Sequence, residues 1–155
     1  MSAIFSKACE YAIQSTLYIG MHDDRRVGIK EIAEKLDIPV HFLAKILQAL
    51  SERGVLTSFK GTAGGFTLAA TPDRIHLLDI VAAIDGLELF ETCILGFQNC
   101  SADHPCPVHD TWGAVRKVMH GMLSEKSLGN LMPVTKSKIR HTVQTVKRKA
   151  RAGKS

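Results

Sequence analysis

Apolar side chains recur at helical spacing through residues 9–50, interrupted by two short polar breaks. Cys9, Ala12, Ile13, Thr16, Leu17 and Gly20 fall at i, i+3, i+4, i+7, i+8 and i+11, the stripe of an amphipathic helix predicted from about Phe5 to Met21. The polar turn His22-Asp-Asp-Arg-Arg26 stops it. Ile29, Ile32, Ala33 and Leu36 then give a second, short helix its inner face. Pro39 opens a third, because proline presets a helix-start φ where its missing N–H is not needed. In that third helix Leu43, Ile46, Leu47 and Leu50 form the buried stripe, while His41, Lys45, Gln48 and Glu52 share the opposite face. Gly54 ends it as a left-handed cap would.

The period then changes. Residues 55–60 and 66–69 read as two strands joined by the tight turn Gly61-Thr-Ala-Gly-Gly65. Three helices followed by a hairpin is the order of a winged helix-turn-helix, so the expected fold is mainly α with a small β-hairpin wing. Leu77, Leu78, Ile80, Val81 and Ile84 predict a further helix ending near Gly86. Beyond a polar loop, Val108, Trp112, Val115, Met119 and Met122 recur at steps of four, three, four and three along a long helix. That seam suits either a dimerisation partner or one buried face within a single chain. Ser127 to Met132 reads as a short closing turn, and Pro133 as the boundary with a basic tail. The expected organisation is a winged helix-turn-helix domain at 1–86, a cysteine loop at 87–107, a dimerisation helix and closing turn at 108–132, and a basic flexible tail at 133–155.

At 155 residues and 45% apolar composition the chain can bury one sizeable core, which excludes the disordered and fibrous classes. No apolar run approaches the roughly 18 residues of a membrane span, and Met1-Ser-Ala-Ile-Phe-Ser-Lys7 lacks the regions of a signal peptide. The expectation is a cytoplasmic protein with no membrane partner, whose four cysteines are thiols or ligands rather than disulfides. The formal charge of +5 is uneven: eight of the twenty Lys and Arg lie in residues 135–155, which contain no acid. Basicity therefore lives in the tail and gives no sign that the folded body binds DNA.

Shape carries that expectation instead. A helix fits the major groove of double-stranded DNA, and a glycine-tipped basic wing can lie along the adjacent backbone or minor groove. His41, Lys45 and Gln48 would face base edges, and Lys60 at the wing would meet phosphate or groove. The bland alternative for each is a solvated polar face. An enzyme is not expected, since no nucleophile and base pair or convergent acid pair occurs, and Gly61–Gly65 lacks the lysine and hydroxyl of a phosphate loop.

The remaining chemistry is concentrated in Cys93, Cys100 and Cys106, spaced Cys-x6-Cys-x5-Cys, with His109 three positions later. Thiolates in a short polar loop beside an imidazole suit a metal or an iron-sulfur centre better than a core. Three readings compete: zinc in a Cys3His site stabilising an interaction module, an iron-sulfur cluster with a fourth ligand from elsewhere, and thiol-disulfide switching without metal. DNA binding switched by a small molecule is a further alternative. Cys9, on the apolar stripe of the first helix, reads as a small buried hydrophobe.

Ser6-Lys7 with Glu10-Tyr11-Ala12, Leu43-Ala-Lys-Ile-Leu47 with Leu50, Gly54-Val55-Leu56, and Lys60-Gly61 through Gly64-Gly65-Phe66-Thr67-Leu68 resemble the winged-helix regulators of the Rrf family. The cysteine triplet and Cys106-Pro-Val-His109-Asp-Thr-Trp112 fall where its cluster-binding, IscR-like and NsrR-like members keep theirs, and the resemblance covers roughly residues 4–132. It implies a homodimeric transcription regulator whose affinity for a DNA operator follows an iron-sulfur cluster, 2Fe-2S or 4Fe-4S, sensing redox state, nitric oxide or iron supply. It also implies Cys93, Cys100 and Cys106 as ligands. His109 matches the histidine ligand of IscR-like members, and Glu10 the acidic ligand that NsrR-like members extend from the partner subunit.

Overall fold

The computed structural model describes residues 4–138. Its elements follow the predicted order: α1 (Lys7–Gly20), α2 (Ile29–Leu36), α3 (Val40–Glu52), β1 (Leu56–Phe59), β2 (Gly65–Leu68), α4 (Leu77–Ile84) and α5 (His109–Glu125). Single 3-10 turns at Pro72–Arg74 and Glu88–Phe90 flank α4.

α1 begins at Ser6, whose hydroxyl accepts the Cys9 N–H at 3.0 Å and so satisfies one donor left free at a helix start. The same hydroxyl donates to the Asp85 carboxylate, and the Ser6 N–H donates to it at 2.8 Å. The start of α1 is thereby tied to the end of α4. The core then forms as the pattern predicts, with Leu43, Leu47 and Leu50 of α3 fully buried against Ala12 and Ile19 of α1 and Ile32 of α2. Each such leucine contributes about 1.5–3 kcal/mol relative to exposure. Between α2 and α3, Asp37 adopts φ 55°, and buried Ile38 donates its N–H to the Ala33 carbonyl at 3.0 Å, which fixes the turn.

The wing pairs antiparallel, with Leu56 opposite Leu68 and Phe59 opposite Gly65. A two-stranded ribbon is marginal alone. Here Val27 adds a bridge the sequence did not suggest, exchanging bonds of 3.0 and 2.9 Å with Phe66. That close approach explains Gly65: at φ +143° a β-carbon there would lie 2.8 Å from the Val27 carbonyl oxygen.

One expectation is corrected. Residues 128–138 are helical where a closing turn and a boundary at Pro133 were expected. Leu128, Leu131 and Met132 pack at i, i+3 and i+4 on the same core, and the N–H that Pro133 lacks falls within the second turn, a loss this packing outweighs. Ser127 starts the segment by accepting the Asn130 N–H, while Leu128 and Ile75 join backbones at 2.8 Å. Residues 139–155, most of the basic tail, lie outside the described residues.

Of the two readings of the α5 seam, one buried face within a single chain does not hold. Trp112 and Met119 are half-buried, Leu123 is the residue fully buried, and Val115, Val118 and Met122 are exposed, Val118 by 73%. The side facing the rest of the chain is the mixed series Trp112, Arg116, His120 and Leu123, with His120 exposed beyond its ring contact with Phe90. Three of its members are polar or polar-tipped, so apolar periodicity could not find it. Leu123 joins Cys9 of α1 and Val81 of α4 in a second, small cluster. Cys9 is a buried hydrophobe as expected, and burial first, then Asp85 and Glu10, pushes its thiol up to about 12.

Near α2, Glu31 receives two Arg25 N–H bonds, at 2.6 and 2.9 Å, and the Tyr18 hydroxyl at 2.8 Å. Arg25 is the main cause that lowers the Glu31 carboxyl to about 2, against the opposing effect of burial. A depressed folded-state value means stability that is present above the ordinary carboxylate range near 4.3 and is lost as pH falls through about 2. Glu31→Gln should therefore be less stable than the parent at pH 7, with the difference shrinking between about pH 5 and 2. Urea unfolding at several pH values measures it; a gap independent of pH contradicts the assignment.

Candidate metal centre and nucleic-acid interface

The cysteine loop runs from the 3-10 turn at Glu88–Phe90 to α5 and has little apolar anchoring of its own, since Ile94, Leu95 and Phe97 are all more than half exposed. What it does have is polar ties to α5. The Trp112 indole N–H donates to the Thr92 carbonyl at 2.9 Å, and Arg116 donates to the Phe90 carbonyl at 3.1 Å. Phe90 packs edge-on against the His120 ring at 5.3 Å.

This folding back brings the ligand atoms of Cys93, Cys100 and Cys106 within 4.8 Å of one another. The Cys93 and Cys106 sulfurs are 3.5 Å apart, and the Cys100 sulfur lies 3.1 Å from His109 Nδ1. All four cysteines are free thiols. Desolvation raises the Cys93 thiol, but the N–H groups of Leu95 and Phe97 and the neighbouring thiols outweigh it, so the net shift is downward. Cys106 goes the other way, raised by desolvation and by its two sulfur neighbours against the Val108 N–H. Thiols this close compete for charge, so one ionises first and the others follow when a cation shares the load. Backbone N–H groups directed at sulfur are also what a thiolate-bound centre uses for tuning. A hollow of about 470 Å³ opens beside Cys93 and Cys100. The residues present therefore fit a sulfur-ligated metal group.

The two candidate fourth ligands are placed differently. His109, the first residue of α5, points Nδ1 at Cys100, although it is not part of the mutually close group. Glu10 does not join the sulfurs in this chain; its carboxylate pairs with Lys7 at 3.1 Å on α1.

On the other face, α3 leaves His41, Lys45 and Gln48 exposed on one side, opposite its buried leucines. Gln48 donates to Glu52 at 3.0 Å, so its amide is already oriented along the helix. Lys60 is exposed where β1 leaves for the turn. Arg26 did not stand out in the sequence, yet its guanidinium sits 3.8 Å over the Phe59 ring and donates to the Ala63 carbonyl at 3.2 Å. The available signal was an arginine immediately before the strand-like Val27, which needed the bridge to Phe66 to acquire meaning.

Among the described residues no helix is long and apolar enough to cross a membrane. Residues 5–133 match the family model Rrf2, described as an iron-dependent transcriptional regulator. A chain of Aquifex aeolicus named as an HTH-type transcriptional regulator is 37% identical over 133 residues, covering 84% of this chain and 92% of that one. The HTH-type transcriptional regulator IscR of Aliivibrio salmonicida is 27% identical over 123 residues, covering 79% and 73%. Among solved structures, CymR, the global cysteine regulator of B. subtilis, superposes with a TM-score of 0.73 at 19% identity, over 84% of this chain and 96% of that one. The two sequence relatives are both named as regulators of transcription, not as enzymes. With its winged helix-turn-helix and a family match spanning nearly all the described residues, this chain belongs to the Rrf2 family of transcriptional regulators.

Proposed function

We propose that this chain is a cytoplasmic, homodimeric regulator whose hold on a double-stranded DNA operator is set by an iron-sulfur cluster on Cys93, Cys100 and Cys106. The observation that carries the reading is the convergence of three sulfurs within 4.8 Å in a loop with almost no apolar support. The iron dependence named in the family description and the IscR relative favour iron over zinc. When bound, a 2Fe-2S or 4Fe-4S cluster supplies a centre that responds to redox state, nitric oxide or iron supply. His109 is the fourth ligand available within the chain, and Glu10 the one a partner subunit would offer.

The chain's own residues transmit the state of the loop. Trp112 and Arg116 fasten the loop to α5, and Leu123 fastens α5 to Cys9 of α1 and Val81 of α4. A shift of residues 91–108 is thereby passed through α5 to α1 and α4, the helices on which the reading head of α3 and the wing is carried. The exposed stripe Val115, Val118 and Met122 at i, i+3 and i+7 is the face for a second α5, since a row of apolar side chains on a helix needs cover. Two-fold pairing sets two α3 helices about one helical turn of DNA apart, so a small rotation of each head changes the fit. The 3.5 Å separation of Cys93 and Cys106 favours a metal-free thiol switch as the second reading.

Cys100→Ala, purified without air, should lose iron, sulfide and visible absorption together. Retention of all three contradicts the ligand set, and stoichiometric zinc in the parent favours a zinc-stabilised interaction module. Val118→Asp should shift the protein from dimer to monomer in sedimentation; an unchanged dimer moves the interface elsewhere. Lys45→Ala should weaken binding to a selected operator by about 1–3 kcal/mol while leaving iron content intact. Equal affinity removes Lys45 from the interface.

A further inference from the structure

We propose that Arg26 is a DNA-backbone contact that also braces the wing, so that one guanidinium sets the hairpin and meets phosphate beside it; this rests on the DNA-binding reading above. The wing is short, with four residues in each strand, and its turn is rich in glycine, a combination that does not hold its shape in isolation. Arg26 supplies what the ribbon lacks. Its planar cation covers the ring of Phe59, the last residue of β1, at 3.8 Å, and one N–H reaches the Ala63 carbonyl inside the turn at 3.2 Å. It thus spans the turn from outside, on the residue next to Val27, whose backbone pairs with Phe66.

Stacking and a single hydrogen bond leave much of a guanidinium unused. Arg26 is exposed, and among the described residues it has no ion-pair partner and no acceptor for its other side-chain N–H donors. Arg25 differs in kind, because both of its terminal nitrogens are committed to Glu31. Of the two adjacent arginines only Arg26 therefore remains available to an external anion. Lys60 follows Phe59 directly and is exposed, so a second cation stands next in sequence to the residue whose ring Arg26 covers. Two exposed cations on a braced ribbon, with no carboxylate bound to either among the described residues, suit the regularly spaced phosphates of a duplex. A stacked arginine suits phosphate because its planar fork is held in place before contact.

The experiment uses the full chain, prepared without air, and a duplex that the parent selects from a random-sequence pool. Affinity is measured across a range of salt, and hydrogen exchange of residues 59–66 is followed in the free protein. Arg26→Ala should bind roughly tenfold or more weakly, with the slope of log affinity against log salt reduced by about 0.9. It should also lose amide protection in the turn. Arg26→Lys should keep most of the slope, because the charge remains, but lose turn protection, because the planar stack and the Ala63 bond do not. An unchanged slope in Arg26→Ala overturns the proposal even where turn protection falls, since Arg26 is then only a brace. Lys60→Ala separates the two levels. A reduced slope in Lys60→Ala beside an unchanged one in Arg26→Ala removes Arg26 and leaves the DNA reading standing, whereas unchanged slopes in both remove the wing from the DNA interface altogether.

Discussion

Three thiol sulfurs within 4.8 Å of one another place a local electrostatic demand on this molecule that the surrounding chain does not meet by itself. Ionising one thiol discourages the next, and the loop that carries them buries few apolar groups. In the proposed mechanism the conformation of residues 91–108 follows whatever shares the sulfur charge. A segment of that kind has low local stability and is suited to report a change in its ligand.

In the proposed mechanism the rest of the architecture turns that local condition into movement of a larger body. α5 is bound to the loop on its inner side by Trp112 and Arg116, and to the reading head at its far end by Leu123. Cys9 completes this second contact. It sits on the first helix, is fully buried, and lies outside the close group of the other three sulfurs. Ser6 and Asp85 lock α1 to α4 beside it. In that mechanism α1 and α4 move as a unit, and the α3 face with the wing moves with them.

Most of the fold was legible in the sequence because its elements carry strong, single-period patterns. The Leu43, Ile46, Leu47 and Leu50 stripe defines α3, and the change to strand-like residues around a glycine-rich turn defines the wing. The cysteine spacing was legible as chemistry, and the three sulfurs do converge. What escaped was decided by tertiary contact. Pro133 signals an end to helix, but Leu128, Leu131 and Met132 have a core to cover, so the helix continues past it. The inner side of α5 escaped because it is built from an indole, a guanidinium and an imidazole, whose partners are loop carbonyls and a ring. Arg26 had no visible partner until the fold set Phe59 and Ala63 beneath it.

In the proposed mechanism the state of the sulfur site governs how firmly the winged heads hold DNA. The most direct test measures the affinity of a single air-free preparation for its selected duplex before and after iron is stripped by a chelator. A change of about tenfold or more is expected, equivalent to about 1.4 kcal/mol between the two states. Identical affinities, with the metal shown to be present before and absent after, would contradict the mechanism.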